Sequence, residues 1–372
     1  MARVTALQAH GEGLGAKRLG EYRGATAAAC FSDPQQELRA MRAACGVYDL
    51  GYRAKISLTG DDRIRWLNGM VTNNIRDLAA GSGVYAFLLN PQGHILGDLY
   101  AYNRGESITV DTDVSQVEKI LATFDHYIIM DDVEVTNLAE HLTAIGLAGP
   151  SARTVLRSIG LEIAEVPPLQ LHDVQCECDC GCVQCTIVRG EDTPEESFEI
   201  WLAPAQVRAL WDAAVKADAT PVGFEALEMR RVLAGIPQYG VDIRERDLPQ
   251  ETGQDRALNF NKGCYIGQEI VERIRSRGAV HRGFAGFLLE GTASIAGGTK
   301  IRSGDKDVGE ITSTTAVGTS GGEKSVALGY IRPEFIVPGR QVQIGDAKGT
   351  VISFPFDEHS QTSEPALGQR RA

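Results

Sequence analysis

The chain is 372 residues long and carries 37 Lys and Arg against 49 Asp and Glu, a formal net charge of −12. That acidic balance argues against a general nucleic-acid binder or a protein drawn to anionic membranes. With 43% hydrophobic and 23% charged residues, the composition is that of an ordinary folded protein and excludes a disordered or fibrous chain. At about 150 residues per domain, the length fits roughly two or three domains. No run of about eighteen apolar residues occurs, so no membrane-spanning helix is expected. Residues 1–30 lack the apolar block of a secretory signal. The expected location is the cytoplasm, where the 8 cysteines should serve as thiols, metal ligands or redox groups and not as structural disulfides.

Residues 1–30 are rich in Gly and Ala and show no sustained period, apart from 25–31, which reads as the start of a short strand. They are expected to form an extension lying on the body. Asp33-Pro34 followed by Glu37 predicts a helix start, with Leu38 and Met41 on one face and Gly46 beyond its end. Residues 55–59 alternate as a strand, and Asp61 or Asp62 is placed to cap a helix carrying Ile64, Leu67 and Met70. Two strand-like runs, 83–90 and 94–102, flank Asn90-Pro91-Gln92-Gly93 and predict a β-hairpin. A strand at 107–110, a helix at 114–125 and strands at 132–135 and 142–147 continue the alternation, so the fold class is α+β. After Gly149-Pro150 the scheme restarts, with helices at 152–159, 204–216 and 223–234 and strands at 170–176, 182–188 and 198–202. A loop containing Asp242, Pro249 and Gly253 follows. From about residue 281 to Phe356, short strands separated by glycine turns predict a small all-β domain, and the polar end of the chain reads as a frayed tail.

The most informative stretch is Asn261-Lys262-Gly263-Cys264-Tyr265-Ile266-Gly267-Gln268-Glu269. Ile266, Ile270 and Ile274 recur at helical spacing, which predicts a helix from near Gly267 to Gly278. Cys264 then falls just before that helix, where oriented N–H groups and Lys262 would stabilise a thiolate. Gly263 and Gly267 permit close backbone approach and unusual torsions. On residue chemistry alone two readings stay open: a reactive thiol, or a small buried side chain with glycines shaping a turn.

As a whole, the Lys-Gly-Cys-Tyr-x-Gly-Gln-Glu motif resembles the signature of the YgfZ-type folate-binding proteins, relatives of the glycine-cleavage T-protein (aminomethyltransferase). The segment from Trp66 to Asn74 is similar to the family's Leu-x-Gly-x-x-Thr-Asn-Asp, with Asn74 replacing the usual Asp. The run from Tyr85 to Asp98, Gly149-Pro150 and Phe198-Glu199 match further landmarks, so the resemblance covers about residues 30 to 357. It implies α+β subdomains around a central folate cavity (residues 31–280, subdivided near 149), then a C-terminal antiparallel β-barrel (281–357) and a tail (358–372).

The resemblance also implies tetrahydrofolate as cofactor. Tyr85 matches a position lining the folate pocket, and Asp98 matches the aspartate beside the folate nitrogens. Lys262, Gly263, Tyr265, Gly267, Gln268 and Glu269 belong to the folate-binding motif. Asp98 and Cys264 are the implied catalytic residues. Two departures stand out: Gly97, where T-proteins often carry a second Asp, and Leu233, where they carry a Glu that hydrogen-bonds the pterin. A polar edge left unpaired costs about 1–3 kcal/mol, so weaker or shifted folate binding is expected. The implied function is a tetrahydrofolate-binding accessory protein in iron–sulfur cluster assembly or repair, with folate and iron–sulfur client proteins as partners. The alternative is a T-protein-like aminomethyltransferase passing a one-carbon unit to tetrahydrofolate, and a third is a folate-binding module without chemistry. No membrane or general nucleic-acid partner is expected. No phosphate loop, dinucleotide-binding glycine turn or His-Glu-x-x-His motif competes.

Two further clusters have alternative readings. Cys176, Cys178, Cys180, Cys182 and Cys185 line a hairpin whose thiolates can converge on a soft metal, or are incidental, since the spacing fits no standard zinc or iron–sulfur pattern. Arg273, Arg275, Arg277, His281 and Arg282 either hold an anionic tail or complement a helix dipole on a solvated face.

Overall fold

A computed structural model of the chain describes residues 3–9, 14–178, 181–191, 195–278, 280–291, 295–319 and 322–356. They divide into two units, one built from residues up to 228 with 244–250 and 254–279, the other from 229–243, 251–253 and the chain from 280 onward.

The first unit contains a five-stranded sheet in the order Gly83–Leu89, Ile95–Asn103, Ile108–Asp113, Arg53–Thr59, Glu134–Asn137. Strand side chains alternate between faces. One face collects Ile56, Leu58, Ala86, Leu88, Leu99, Ala101 and Val110, packed with Leu67 and Met70 of helix Arg63–Met70 and Ile120 and Phe124 of helix Val117–Tyr127. The other face receives Arg53, Lys55, Tyr85, Asp98, Tyr100, Asp111 and Asp113. The register pairs Tyr85 with Tyr100, Tyr100 with Asp111, Asp111 with Lys55 and Asp113 with Arg53. A six-stranded sheet runs Leu171–Cys178, Gly181–Arg189, Ser197–Leu202, Thr143–Ala148, Gly46–Asp49, Thr220–Val222. Its apolar side, with Ile187, Ile200 and Leu147, packs on helices Ala152–Ser158 and Val207–Lys216. Trp201 lies on its other side, where the Lys55 ammonium sits 4.7 Å above the indole and Tyr102 meets it edge-on at 5.2 Å. The part of that charged face around Lys55 and Tyr102 is therefore covered by the six-stranded sheet.

In the N-terminal region a three-stranded sheet forms: Arg3–Val4 runs parallel to Ala25–Cys30, within the run 25–31 expected to begin a strand, and Ala25–Cys30 pairs antiparallel with Arg18–Tyr22. The central strand is alanine-rich and nearly all buried, so no polar–apolar alternation marks it. Asp62 occupies the N-cap position of helix Arg63–Met70 but makes no side-chain cap. Its carboxylate instead accepts the Asp132 N–H at 3.0 Å and a bond from Arg65.

The second unit contains a closed barrel of Gly283–Leu289, Gly322–Ile331, Lys306–Thr319, Lys300–Ser303, Gln341–Ile344 and Ala347–Ile352, all antiparallel. Phe287, Ile301, Ile311, Ile331 and Ile344 fill it. The expected class, an α+β region followed by an antiparallel barrel, is the observed one. Among the described residues, no helix is long and apolar enough to cross a membrane.

The cysteine hairpin forms, with Cys178 opposite Gly181. Its turn and the thiols of Cys176, Cys178, Cys180 and Cys182 lie outside the described residues, as do the Arg277 side chain and the tail. Cys185 is buried in the core of the six-stranded sheet, which removes it from any convergence of thiolates at the hairpin tip.

Candidate functional site

Asp98 stands on strand Ile95–Asn103 and keeps part of its surface exposed. The Tyr85 hydroxyl donates to its Oδ2 at 2.7 Å and the Gln116 amide to its Oδ1 at 2.7 Å. Gln116 closes a ring by accepting the Asp98 N–H at 3.0 Å, and Thr112 donates to the Asp98 carbonyl at 2.9 Å. Burial, then the charge of Asp113, push the Asp98 carboxyl up, against the pull of Gln116, Tyr85 and Arg53. Burial beside Asp98 likewise raises the Tyr85 phenol, so it remains a donor.

Ion pairs surround this group. Arg53 reaches Asp111 at 2.9 Å and Asp113 at 3.0 Å, and the fully buried Lys55 reaches Asp111 at 3.0 Å. Burial works to raise Asp111, but Arg53 and Lys55 outweigh it and hold that carboxyl below the usual range. On the other side Tyr85 contacts Tyr100 with ring centres 5.0 Å apart, and the Arg256 guanidinium lies 4.2 Å over the Tyr85 ring. Arg256 pairs with Glu191, which also accepts the Tyr100 hydroxyl at 2.8 Å. Asn73 ties this wall together, its amide donating to the carbonyls of Tyr85 and Arg256, each at 2.8 Å. The result is an oriented carboxylate next to aromatic rings and a guanidinium, suited to a flat ligand with N–H groups and an anionic portion.

The 261–269 segment is braced elsewhere in the same unit. Helix Gln268–Arg277 begins after Gly267 (φ 81) and closes at Gly278 (φ 100), as its spacing predicts. A Cβ on Gly267 would lie 2.6 Å from the Asn90 carbonyl oxygen, so only glycine lets the helix start seat on the hairpin turn. The Ile266 N–H donates to the Gly69 carbonyl at 3.1 Å. Lys262 does not serve Cys264 as expected. It is buried, and its ammonium donates to the carbonyls of Asn68 and Val71 at the end of helix Arg63–Met70, above the Tyr265 ring at 4.9 Å. Those carbonyls have no intrahelical donor and carry the negative end of the helix dipole, which accounts for the cation's direction. Burial, with Arg76 nearby, pushes the ammonium down to about 7. Burial also raises the buried Tyr265 phenol to about 12. Cys264 is exposed, Gly263 has φ 95, Gln268 is half-buried and Glu269 is exposed.

Thus Tyr85 and Asp98 are in direct contact, while the motif residues Lys262, Tyr265 and Gly267 brace a loop that carries an exposed thiol. Leu233 is buried in the second unit, and its side chain offers no acceptor; its carbonyl accepts the Phe356 N–H at 2.7 Å. Sequence reasoning missed Arg53, Asp113, Gln116, Tyr100 and Arg256. A signal was present for two of these: opposite charges stand on alternating strands, Arg53 and Lys55 on one and Asp111 and Asp113 on another.

A crystal structure of glycine cleavage system aminomethyltransferase T from Bartonella henselae superposes with a TM-score of 0.86 over 96% of this chain and 99% of that one, at 23% identity. The fold is therefore of the T-protein class. A family model described as the GCVT N-terminal domain matches residues 5–262, and one described as the glycine cleavage T-protein C-terminal barrel domain matches 282–356. The chain belongs to this glycine-cleavage T-protein family. Similar relatives are the aminomethyltransferase of Rubrobacter xylanophilus, 29% identical over 89% of this chain and 88% of the relative, and that of Geobacillus sp., 25% identical over 96% and 99%.

Proposed function

We propose that the protein binds tetrahydrofolate against the Tyr85–Asp98 face and works as an aminomethyltransferase, the activity its relatives are named for. The observation that carries this reading is the Asp98 carboxylate, with one oxygen accepting from Tyr85 and the other from Gln116 on a partly exposed strand. A carboxylate so held accepts a hydrogen bond from an amine N–H and orients its lone pair. The half-buried Tyr100 beside Tyr85 offers an aromatic surface, and Arg256, already paired with Glu191, a cationic neighbour for a carboxylate tail. Tetrahydrofolate supplies the nitrogen that takes the one-carbon unit. Calorimetric titration with tetrahydrofolate should give saturable binding, and no binding at millimolar ligand would overturn the proposal. Asp98→Asn should lower turnover with a lipoylated carrier by at least about 100-fold, the scale of general acid–base contributions.

A second reading, the iron–sulfur accessory role with tetrahydrofolate bound, is favoured by the exposed Cys264 on a segment resembling the YgfZ signature, and by Leu233 in place of an acceptor. Cys264→Ala separates the two: lost activity of iron–sulfur client enzymes with unchanged folate affinity supports the accessory role, and full transferase turnover by the variant supports the enzyme.

A further inference from the structure

The aromatic wall beside Asp98 already holds a carboxylate, and the chain itself supplies it. Glu191 lies two residues beyond strand Gly181–Arg189. Its Oε2 accepts the Tyr100 hydroxyl at 2.8 Å, and its Oε1 pairs with the Arg256 guanidinium. One neutral donor and one charged donor thus converge on a single carboxylate. The same guanidinium is laid over the Tyr85 ring at 4.2 Å, while Tyr100 lies 5.0 Å from that ring and Phe87 meets it edge-on at 5.5 Å. Tyr85 is 5% exposed, so a flat ligand reaches its ring only when the guanidinium moves.

The backbone beneath Arg256 is tied down. The Asn73 amide donates to the Arg256 carbonyl at 2.8 Å, and the Thr72 hydroxyl to the Ala257 carbonyl at 2.6 Å. The side chain is freer, with 36% of it exposed against 25% for that of Glu191. An ion pair so open to water is weak, because solvent screens it and two side chains must be held in one geometry. A ligand carboxylate can therefore take the place of Glu191 on Arg256 and Tyr100, and the guanidinium exchanges one anion for another without losing its counter-charge. A ligand lacking a carboxylate has nothing to exchange, and it leaves Glu191 in place and the guanidinium over Tyr85. We propose that Glu191 is a specificity-determining residue, an internal stand-in for the carboxylate of the ligand that closes the Tyr85–Asp98 face until an anionic ligand displaces it. The inference rests on the folate reading, in which the displacing group is the glutamate tail of tetrahydrofolate.

The test is calorimetric titration of the full chain with tetrahydrofolate and with a methyltetrahydropterin, which has the ring and no carboxylate. Glu191→Gln keeps an oxygen for the Tyr100 hydroxyl and loses the charge. It should tighten tetrahydrofolate about 5-fold or more, the scale of a solvent-open ion pair, and change methyltetrahydropterin less than about 2-fold. Arg256→Met should weaken tetrahydrofolate by about 5-fold or more, and adding Glu191→Gln to it should bring no gain. Unchanged or weaker tetrahydrofolate binding by Glu191→Gln overturns the proposal, because a carboxylate that merely braces Arg256 would weaken binding when lost. Equal tightening of both ligands also overturns it, since the gain would then come from an uncovered ring and not from a vacated carboxylate position. If the unaltered protein binds tetrahydrofolate and Glu191→Gln binds it no better, this inference alone fails. If neither protein binds it at millimolar ligand, the folate reading fails and this inference falls with it.

Discussion

Asp49 is a buried carboxylate held by two neutral donors and, among the described residues, by no cation: Thr5 Oγ1 donates to Oδ2 and the Gly51 N–H donates to Oδ1 at 2.7 Å. Burial raises it from 3.8 to about 6, with the two donors working against the shift. The folded state therefore binds a proton that the unfolded chain releases between about pH 4 and pH 6. Stability falls as pH rises through that window and stays lower above it, by about 3 kcal/mol at 1.36 kcal/mol per unit. Asp49→Asn should be more stable than the unaltered protein by about 1–3 kcal/mol at pH 8 and nearly equal to it at pH 4, as read by urea unfolding at the two pH values. Lys262 is the opposite case, a buried cation held by carbonyls. Lys262→Met strips donors from Asn68 and Val71 and should cost about 1–3 kcal/mol in the same assay. The alkylation rate of Cys264 should be unchanged, because the ammonium points into the helix end and not at the thiol.

At the scale of elements, the loop carrying the thiol is positioned by a glycine pair across two segments. Gly93 of the hairpin turn would place a Cβ 2.7 Å from Ile270, and Gly267 would place one 2.6 Å from the Asn90 oxygen. Gly267→Ala should therefore cost about 1–2 kcal/mol for the left-handed torsion alone, and more for the contact, seen as a lowered unfolding midpoint. This part of the architecture was legible, because glycines at helix ends and an Asn-x-x-Gly turn are local signals. The carboxylate cluster was not. Arg53, Lys55, Asp111 and Asp113 each sit at an alternating position that locally reads as a solvent face. Only strand pairing across more than 50 residues, with a second sheet laid over it, makes that face an interior one. Gln116 was hidden for a related reason: it lies between a strand and a helix, and its partner Asp98 is 18 residues away.

Across the whole molecule, the chain passes between the two units more than once, and helix Phe224–Ala234 begins in the first and ends in the second. Within the second unit, residues 229–243 are tied to the barrel by a buried charge. Arg231 donates to Asp242 at 2.7 Å, to the Ile236 carbonyl at 3.1 Å and to Ser313 at 3.0 Å. Asp242 also accepts from Ser313, at 2.8 Å, and from Thr312. Removing one member of such a pair leaves the other charged and buried, which costs about 3–5 kcal/mol. Each unit has its own core, so the loss should fall on one of them. In Arg231→Met, amide hydrogen exchange should quicken in strands Lys306–Thr319 and Gly322–Ile331 while the Gly83–Leu89 and Ile95–Asn103 hairpin keeps its protection. Equal acceleration in both would mean that the barrel and the Asp98 sheet unfold as one cooperative body, and that a change in the barrel reaches the carboxylate through global stability.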